Sequence, residues 1–425
     1  MSGKVIALVA GRDPLSEVSC GHSSYVRAHA MAATRAGYAA HIFCVGPNSG
    51  TVETDFGIVH RIGSRLRPYR QLLIMGYARS LADAIDRFLS GYDGPHLIHS
   101  FGVWGYAGVL AAERLRAKGR DVKTLLGSYT TYTDEFRAKI DGLSGAHGTL
   151  AGFRYWVQSQ WARLVVEGYE RRAYLESDLV TANYESVIKM IRARHGAAVK
   201  IRKAPYTPES AFVDSELNGA VGSPPDESNA SGTCAISLLT VARNEPNKGI
   251  PVLIEALAEL RQRGIEYSAR LIGGGPLLDQ HRRLVASLEL SKVVAMPGPV
   301  RDILPYLKQA DVFVLPSLSE GSGSLALIEA MQKGLAIVAS SVDGIVEDLE
   351  DGKDAILVKP GSVEEMSAAL ASLSAQPQLR IRLGSAARQR FVEKFSAGVF
   401  SKAMDDLYSE LLQESSQVVA ARAVI

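Results

Sequence analysis

The stretch from Asp311 to Ser340 leaves little choice of local fold. Asp311-Val-Phe-Val-Leu315 is short, apolar and β-branched, the composition of a buried strand. Pro316-Ser317-Leu-Ser-Glu320-Gly-Ser-Gly-Ser324 interrupts it, and the segment up to Gly334 reads as a helix, with Ser324 placed to cap it and Gly334 to end it. A strand, a Gly-Ser loop and a helix in that order aim free backbone N–H groups and a positive helix end at whatever lies above the sheet. A phosphorylated or hydroxyl-rich ligand suits that place. Glu320 falls on the loop and Glu329 in the helix, where each can accept hydrogen bonds from sugar hydroxyls; otherwise they are a solvated loop glutamate and a surface helix glutamate.

Upstream, Ile236 to Ala242 is a strand, followed by Arg243-Asn-Glu-Pro-Asn-Lys248-Gly249 and an amphipathic helix from Ile250 to Arg261. Arg243 and Lys248 flank a turn at the carboxyl end of a strand, where open α/β sheets bind ligands. A guanidinium fork and a point-charge ammonium there match a diphosphate. Two more strands end in glycine turns, Ala269 to Ile272 before Gly273-Gly-Gly275-Pro276, and Val293 onward through Pro297-Gly298-Pro-Val300.

In that order these segments resemble the carboxyl-terminal domain of the retaining GT-B glycosyltransferases, glycosyltransferase family 4. The family pattern is a strand, G-R-x-x-x-x-K-G, G-x-G-P, F-x-G, then P-S-x-x-E-G-x-G with a second glutamate on the helix. The resemblance covers about residues 236–395 and continues through Asp343-Gly344-Ile-Val-Glu347 and Asp351-Gly352. It implies a GT-B fold: two Rossmann-like, doubly wound parallel-sheet domains facing a cleft. It further implies that Arg243 and Lys248 bind the donor diphosphate and that Glu329 holds the nucleotide ribose. Glu320 would contact the transferred sugar, with the amides of Gly321, Ser322, Gly323 and Ser324 supporting its hydroxyls, and the base edge would meet backbone around Gly298 to Val300. Arg243, Lys248 and Glu320 are then the catalytic candidates. One residue more separates Glu320 from Glu329 than in the family pattern, so the Gly-Ser loop must absorb it.

The reaction so implied is retaining, metal-independent transfer from a nucleotide-diphosphate sugar, UDP- or GDP-linked, to a hydroxyl acceptor. No cofactor beyond that substrate is expected. The alternatives are a nucleotide-sugar epimerase on the same architecture and a non-catalytic nucleotide-sugar-binding subunit.

The amino-terminal half says less. Cys20-Gly21-His22-Ser23-Ser24 precedes a helix and resembles the family's glycine loop, which makes Gly21 a donor-side candidate; Ser23 or Ser24 could instead merely cap the helix. Many family members place a histidine in a T-x-H-type turn after the strand that Val122 to Leu126 represents. Here Gly127-Ser-Tyr129-Thr-Thr131-Tyr-Thr-Asp134 has none. His22, His99, Tyr129, Thr131 and Asp134 are the acceptor-side candidates.

Alternating strands and helices run throughout and predict wound parallel sheets. The strands are Lys4–Ala10, Ala40–Val45, His96–Ser100, Val122–Leu126, Asp178–Ala182 and Lys200–Ala204; the helices are Tyr25–Ala36, Arg79–Phe88, Gly108–Arg116 and a long one from about Leu150 to Leu175. Residues 213–233 are polar and aperiodic, a linker between an acceptor-side domain over 1–212 and a nucleotide-sugar domain over 234–398. The resemblance implies that a last helix, 399–425, crosses back to the first domain.

With 425 residues, 47% hydrophobic and 22% charged, the chain has material for two ordinary globular cores. A net charge of +2 and no nucleic-acid-binding motif exclude that class of partner. Three cysteines without a CxxC pair give no disulfide framework and no metal site, which fits a cytoplasmic protein, peripheral at most to the inner membrane face. Small-molecule, glycan and lipid-linked acceptors all stay open. Two stretches raise the membrane question, the arginines 61, 65, 67 and 70 and the aromatic run Phe153 to Val166. The reading preferred here is a solvated arginine loop and a core helix whose aromatics pack inward.

Overall fold

In a computed structural model of the chain, residues 4–16, 21–63, 74–143, 150–213, 236–321 and 323–422 are described. The first half forms an eight-stranded sheet from β1 (Val5–Val9), β2 (Ala39–Gly46), β3 (Gly50–Thr54), β4 (Gly57–Gly63), β5 (His96–Phe101), β6 (Val122–Ser128), β7 (Leu179–Ala182) and β8 (Ile201–Lys203). Its order is β3-β4-β2-β1-β5-β6-β7-β8, parallel except for the β3–β4 hairpin at one edge. The second half forms a six-stranded, wholly parallel sheet from β9 (Ile236–Val241), β10 (Tyr267–Ile272), β11 (Val294–Gly298), β12 (Val312–Leu315), β13 (Ala336–Ser340) and β14 (Ile356–Val358), ordered β11-β10-β9-β12-β13-β14. Both are doubly wound, as expected. Central strands such as Val5–Val9 and Val312–Leu315 are buried at every position because helices cover both faces.

The hairpin β3–β4 was not legible beforehand, since β3 is largely exposed and carries threonines and a glutamate in place of an apolar run. It corrects the expectation of an arginine loop in part: Arg61 lies in β4 with Nε 2.7 Å from Asp13 Oδ2. Arg65, Arg67, Arg70 and nearly all of the linker 213–233 lie outside the described residues.

The long helix is present but interrupted. Leu150–Trp161 and Glu167–Glu176 are α-helical, and Ala162–Val166 between them makes a π turn. Its aromatics do not all pack inward. Tyr155, Ala162 and Val166 are buried, whereas Phe153 is 62% and Trp156 53% exposed, with their rings stacked 6.1 Å apart.

The halves meet over a continuous apolar core. Helix Ala397–Arg422 supplies Phe400, Met404, Leu407, Tyr408 and Leu411 to it. Through these it lies on helix Gly21–Arg35 and on β5 and β6 of the first sheet.

Candidate active site

In a wound parallel sheet the strand order reverses at one place, and the loops leaving the two strands there diverge to open a crevice. In the second sheet that place is between β9 and β12. The loop after β9 carries Arg243 and Lys248; the loop after β12 carries Glu320. Backbone contact holds the two loops together: Gly249 has φ +60°, and a Cβ there would fall 1.9 Å from the carbonyl oxygen of Pro316. Leu318 N donates to the Asn247 carbonyl at 2.8 Å.

The convergence brings opposite charges into contact. Lys248 Nζ is 2.5 Å from Glu320 Oε2, and the same oxygen accepts from Ser317 Oγ at 2.8 Å. Glu320 is 5% exposed. Its backbone N–H donates to Asp343 Oδ2 at 2.6 Å, and Ser319 Oγ to the same oxygen at 3.1 Å. Asp343 itself adopts φ +44°, uncommon for a non-glycine residue. Arg243 is 63% exposed at its side chain and reaches Glu245 Oε1 at 2.6 Å.

Helix Leu325–Lys333 begins as expected, with Ser324 Oγ accepting from Leu327 N at 3.2 Å, and ends at Gly334 in the left-handed region. Just before the cap, Gly323 adopts φ +75°. Ser322 lies outside the described residues. The Glu329 side chain makes no hydrogen bond or ion pair among the described residues; burial, with Glu209 and Asp302 nearby, pushes its carboxyl up to about 8. Gly298 ends β11 with φ +91°, its carbonyl accepting from Gly273 N at 3.0 Å, and Val300 packs partly buried against the core.

The first half closes on this crevice. Gly21 starts the helix Gly21–Arg35, with Leu325 of the second half near enough that a Cβ on Gly21 would touch its Cδ1 at 3.5 Å. Neither nearby serine caps that helix: it starts ahead of Ser23, while Ser24 Oγ accepts from Glu209 N at 2.9 Å. Lys139 bridges Glu135 at 2.7 Å and Glu245 at 3.2 Å, which links helix Tyr132–Asp141 to the Arg243 loop. A cavity of about 340 Å³ opens beside that helix, between Asp134, Arg137, Asp141 and Gly142 of the first half and Leu318 and Ser319 of the second.

The acceptor candidates fare unevenly. His99 is fully buried, its Nδ1 3.0 Å from Tyr408 Oη, and burial holds its imidazole well below the usual range. Thr131 is also fully buried, accepting from Asp134 N as the cap of helix Tyr132–Asp141. Neither has surface to offer a ligand. Asp134 lines the cavity but is held by Arg194 at 2.6 and 3.0 Å. His22 is partly buried, lowered to about 4 by burial and then Arg12. Tyr129 meets Tyr25 edge to face, ring centres 4.3 Å apart.

Several residues at the site carried no readable signal beforehand. Tyr184 of the first half enters a slot between Gly323 and Gly344, where Cβ atoms would lie 2.1 and 2.3 Å from it. Its hydroxyl donates to Asp348 Oδ2, which Tyr206 also reaches at 2.8 Å. Asn244 Nδ2 donates to the Gly273 carbonyl at 2.7 Å, and Asn244 Oδ1 faces His281 Nδ1 at 2.7 Å, fixing the turn after Arg243. Polar residues in loops have no periodicity to announce such partners. Among the described residues no group of three or more His, Cys, Asp or Glu side chains gathers as a metal site.

Comparison with known proteins agrees with this architecture. The model of Glycosyltransferase Family 4 matches residues 20–205, and that of Glycosyl transferases group 1 matches residues 225–390. The chain is 31% identical over 159 residues to the GDP-mannose-dependent alpha-(1-6)-phosphatidylinositol monomannoside mannosyltransferase of Mycolicibacterium smegmatis, which is 36% of this chain and 42% of that one. Its matches span under half the length of the first curated relatives. Sucrose-phosphate synthase from Thermosynechococcus elongatus superposes with a TM-score of 0.74 at 22% identity, over 97% of this chain and 100% of that one. Anabaena HepE in complex with UDP-glucose gives 0.68 at 17% identity, over 96% and 100%. The chain therefore has the GT-B fold and belongs to the group 1 and family 4 glycosyltransferases, the family 4 domain first and the group 1 domain second.

Proposed function

We propose that this protein transfers a sugar from a nucleoside-diphosphate sugar to a hydroxyl acceptor, with retention of anomeric configuration and without a metal ion. The observation that carries the reading is the contact of Lys248 with Glu320 at the strand reversal of the second sheet, with Arg243 on the same loop as Lys248 and helix Leu325–Lys333 beginning just after Glu320. Two cations, each held by a glutamate, and the positive end of the helix suit an anion there. In this reading Arg243 and Lys248 neutralise the departing diphosphate. Glu320 and the amides of residues 321–324 orient the sugar, Glu329 holds the ribose, and the backbone at Gly298 to Val300 meets the base. Gly21 approaches the donor from the other half.

The bond from the anomeric carbon to the phosphate oxygen breaks, and the acceptor oxygen forms its bond on the same face. The acceptor proton passes to the leaving diphosphate. The chain's own contribution is positioning and charge stabilisation. Tyr129, Asp134 and His22, at the first-half side of the crevice, are the groups left to meet the acceptor. A donor linked to UDP or GDP accords with the names of the relatives, one GDP-mannose-dependent and one seen with UDP-glucose. The mannosyltransferase relative is also named for a phosphatidylinositol-based acceptor, which keeps lipid-borne hydroxyls among the candidates.

Thermal melting against UDP- and GDP-sugars tests the reading, since a ligand bound to the folded state raises Tm. One donor class is expected to raise it in the wild type and not in Arg243→Ala. No shift with any nucleotide sugar at millimolar concentration would overturn the assignment.

A further inference from the structure

Helix Leu150–Trp161 and the π turn after it bury one side and leave the other bare. The buried side is Tyr155, Ala162 and Val166, which pack on Phe136 of helix Tyr132–Asp141 and on Val103. The bare side presents Phe153 at 62%, Trp156 at 53%, Val157 at 44% and Leu164 at 75% exposure. Steps of three, one and seven residues hold these four on one helix face. Large apolar side chains scattered singly on a surface are ordinary; four aligned on one helix are a contact site. Arg154 and Arg163, both exposed, adjoin the stripe. No acidic residue occurs in the sequence between Asp141 and Glu167.

We propose that this face seats the protein on an anionic lipid bilayer. Phe153, Trp156, Val157 and Leu164 enter the interfacial layer, and Arg154 and Arg163 meet lipid phosphates. An apolar stripe with aromatics and basic neighbours is the chemistry of an interfacial helix. No described helix is long and apolar enough to cross a membrane, so the contact is lateral. A protein partner would have to match an apolar stripe with a positive border; an anionic bilayer supplies both surfaces at once.

The position of the stripe gives it a use. Helix Tyr132–Asp141 lies between it and the cavity, packing Phe136 toward Tyr155 and turning Asp134, Arg137 and Asp141 to the cleft. One helix diameter, about 10 Å, therefore separates the lipid surface from the cleft mouth. A hydroxyl acceptor anchored in the bilayer would reach the crevice without leaving it. That last step deepens the proposed transferase reading and rests on it; the docking itself does not.

The test is flotation of the full chain with phosphatidylcholine vesicles and with vesicles containing about 30% phosphatidylglycerol, a fraction chosen for a strong negative surface potential. Binding is expected to the anionic vesicles, weakening with salt as exposed charges are screened. The double variants Phe153→Ser/Trp156→Ser and Arg154→Glu/Arg163→Glu should each lower the bound fraction at least about tenfold, with unchanged circular dichroism because these side chains are exposed. Equal flotation of wild type and both variants, or none on anionic vesicles, overturns the proposal. So does a dimer in sedimentation that Phe153→Ser/Trp156→Ser converts to monomer, which would give the face to a second copy. Donor-induced melting shifts, read on the same samples without lipid, report on the transferase reading separately.

Discussion

Lys248 and Glu320 form an ion pair at 2.5 Å, one side chain from each of the two loops that meet at the strand reversal of the second sheet. Glu320 is nearly enclosed, so its charge depends on Lys248 and Ser317 for compensation. Lys248 thus serves structure and ligand at once, whereas the more exposed Arg243 pairs with Glu245, a carboxylate that Lys139 also holds at 3.2 Å.

That difference predicts distinct phenotypes. Arg243→Ala and Lys248→Ala should each lower transfer about 100-fold or more, the cost of one preorganised charge donor. Only Lys248→Ala should also lower Tm, because it strands a buried carboxylate at a cost on the order of 3 kcal/mol. Adding Glu320→Gln to Lys248→Ala should restore most of the Tm and none of the activity. Melting curves and rates on the four proteins check this, and equal Tm losses from Arg243→Ala and Lys248→Ala would refute it.

The two glutamates should separate by ligand. Glu329→Ala is expected to weaken binding of the free nucleoside diphosphate, while Glu320→Ala mainly weakens the contribution of the sugar. Calorimetry with the diphosphate and the intact donor distinguishes them; the same loss on both ligands from both variants would undo the division.

Buried acids and buried histidines set opposite limits on pH stability. Burial raises Glu170 and Glu329 to about 8 and Asp348 to about 7. These groups keep their protons in the folded state, so their stabilisation is complete at low pH and is lost as pH climbs from about 4.5 to 8. Every histidine among the described residues is lowered, His22, His41, His195 and His281 to about 4, chiefly by burial. They stay neutral when folded, so stability falls as pH drops from about 6.5 toward 4. Tm should therefore peak near pH 6–6.5. Glu329→Gln should flatten the alkaline limb, and a Tm still rising at pH 9 would contradict the assignment.

Glycine contacts predict a contrast of sign. Gly344→Ala would drive a methyl to 2.3 Å from the Tyr184 ring and should cost roughly 1–3 kcal/mol by overpacking the joint between the halves. Gly168→Ala, in helix Glu167–Glu176 with nothing within 4 Å, should gain about 0.5–1 kcal/mol from helix propensity. Chemical denaturation of both variants measures the pair.

What the sequence determined by itself was local and periodic. The all-apolar strand Val312–Leu315, the cap at Ser324 and the glycine stop at Gly334 are consequences of side-chain chemistry within a few residues, and they formed as read. So did the alternation that winds both sheets, because a strand buried on both faces is mostly an apolar run. Long-range partners were decided only by tertiary structure. Nothing near Lys248 in the chain says that it meets Glu320, and nothing near His99 says that Tyr408 will seal it away from any ligand. Phe153 and Trp156 carry the same composition as core aromatics; which side of the helix faces outward depended on where helix Tyr132–Asp141 came to pack. Composition and spacing fix what a segment can form, but exposure and pairing belong to the neighbours that the fold brings against it.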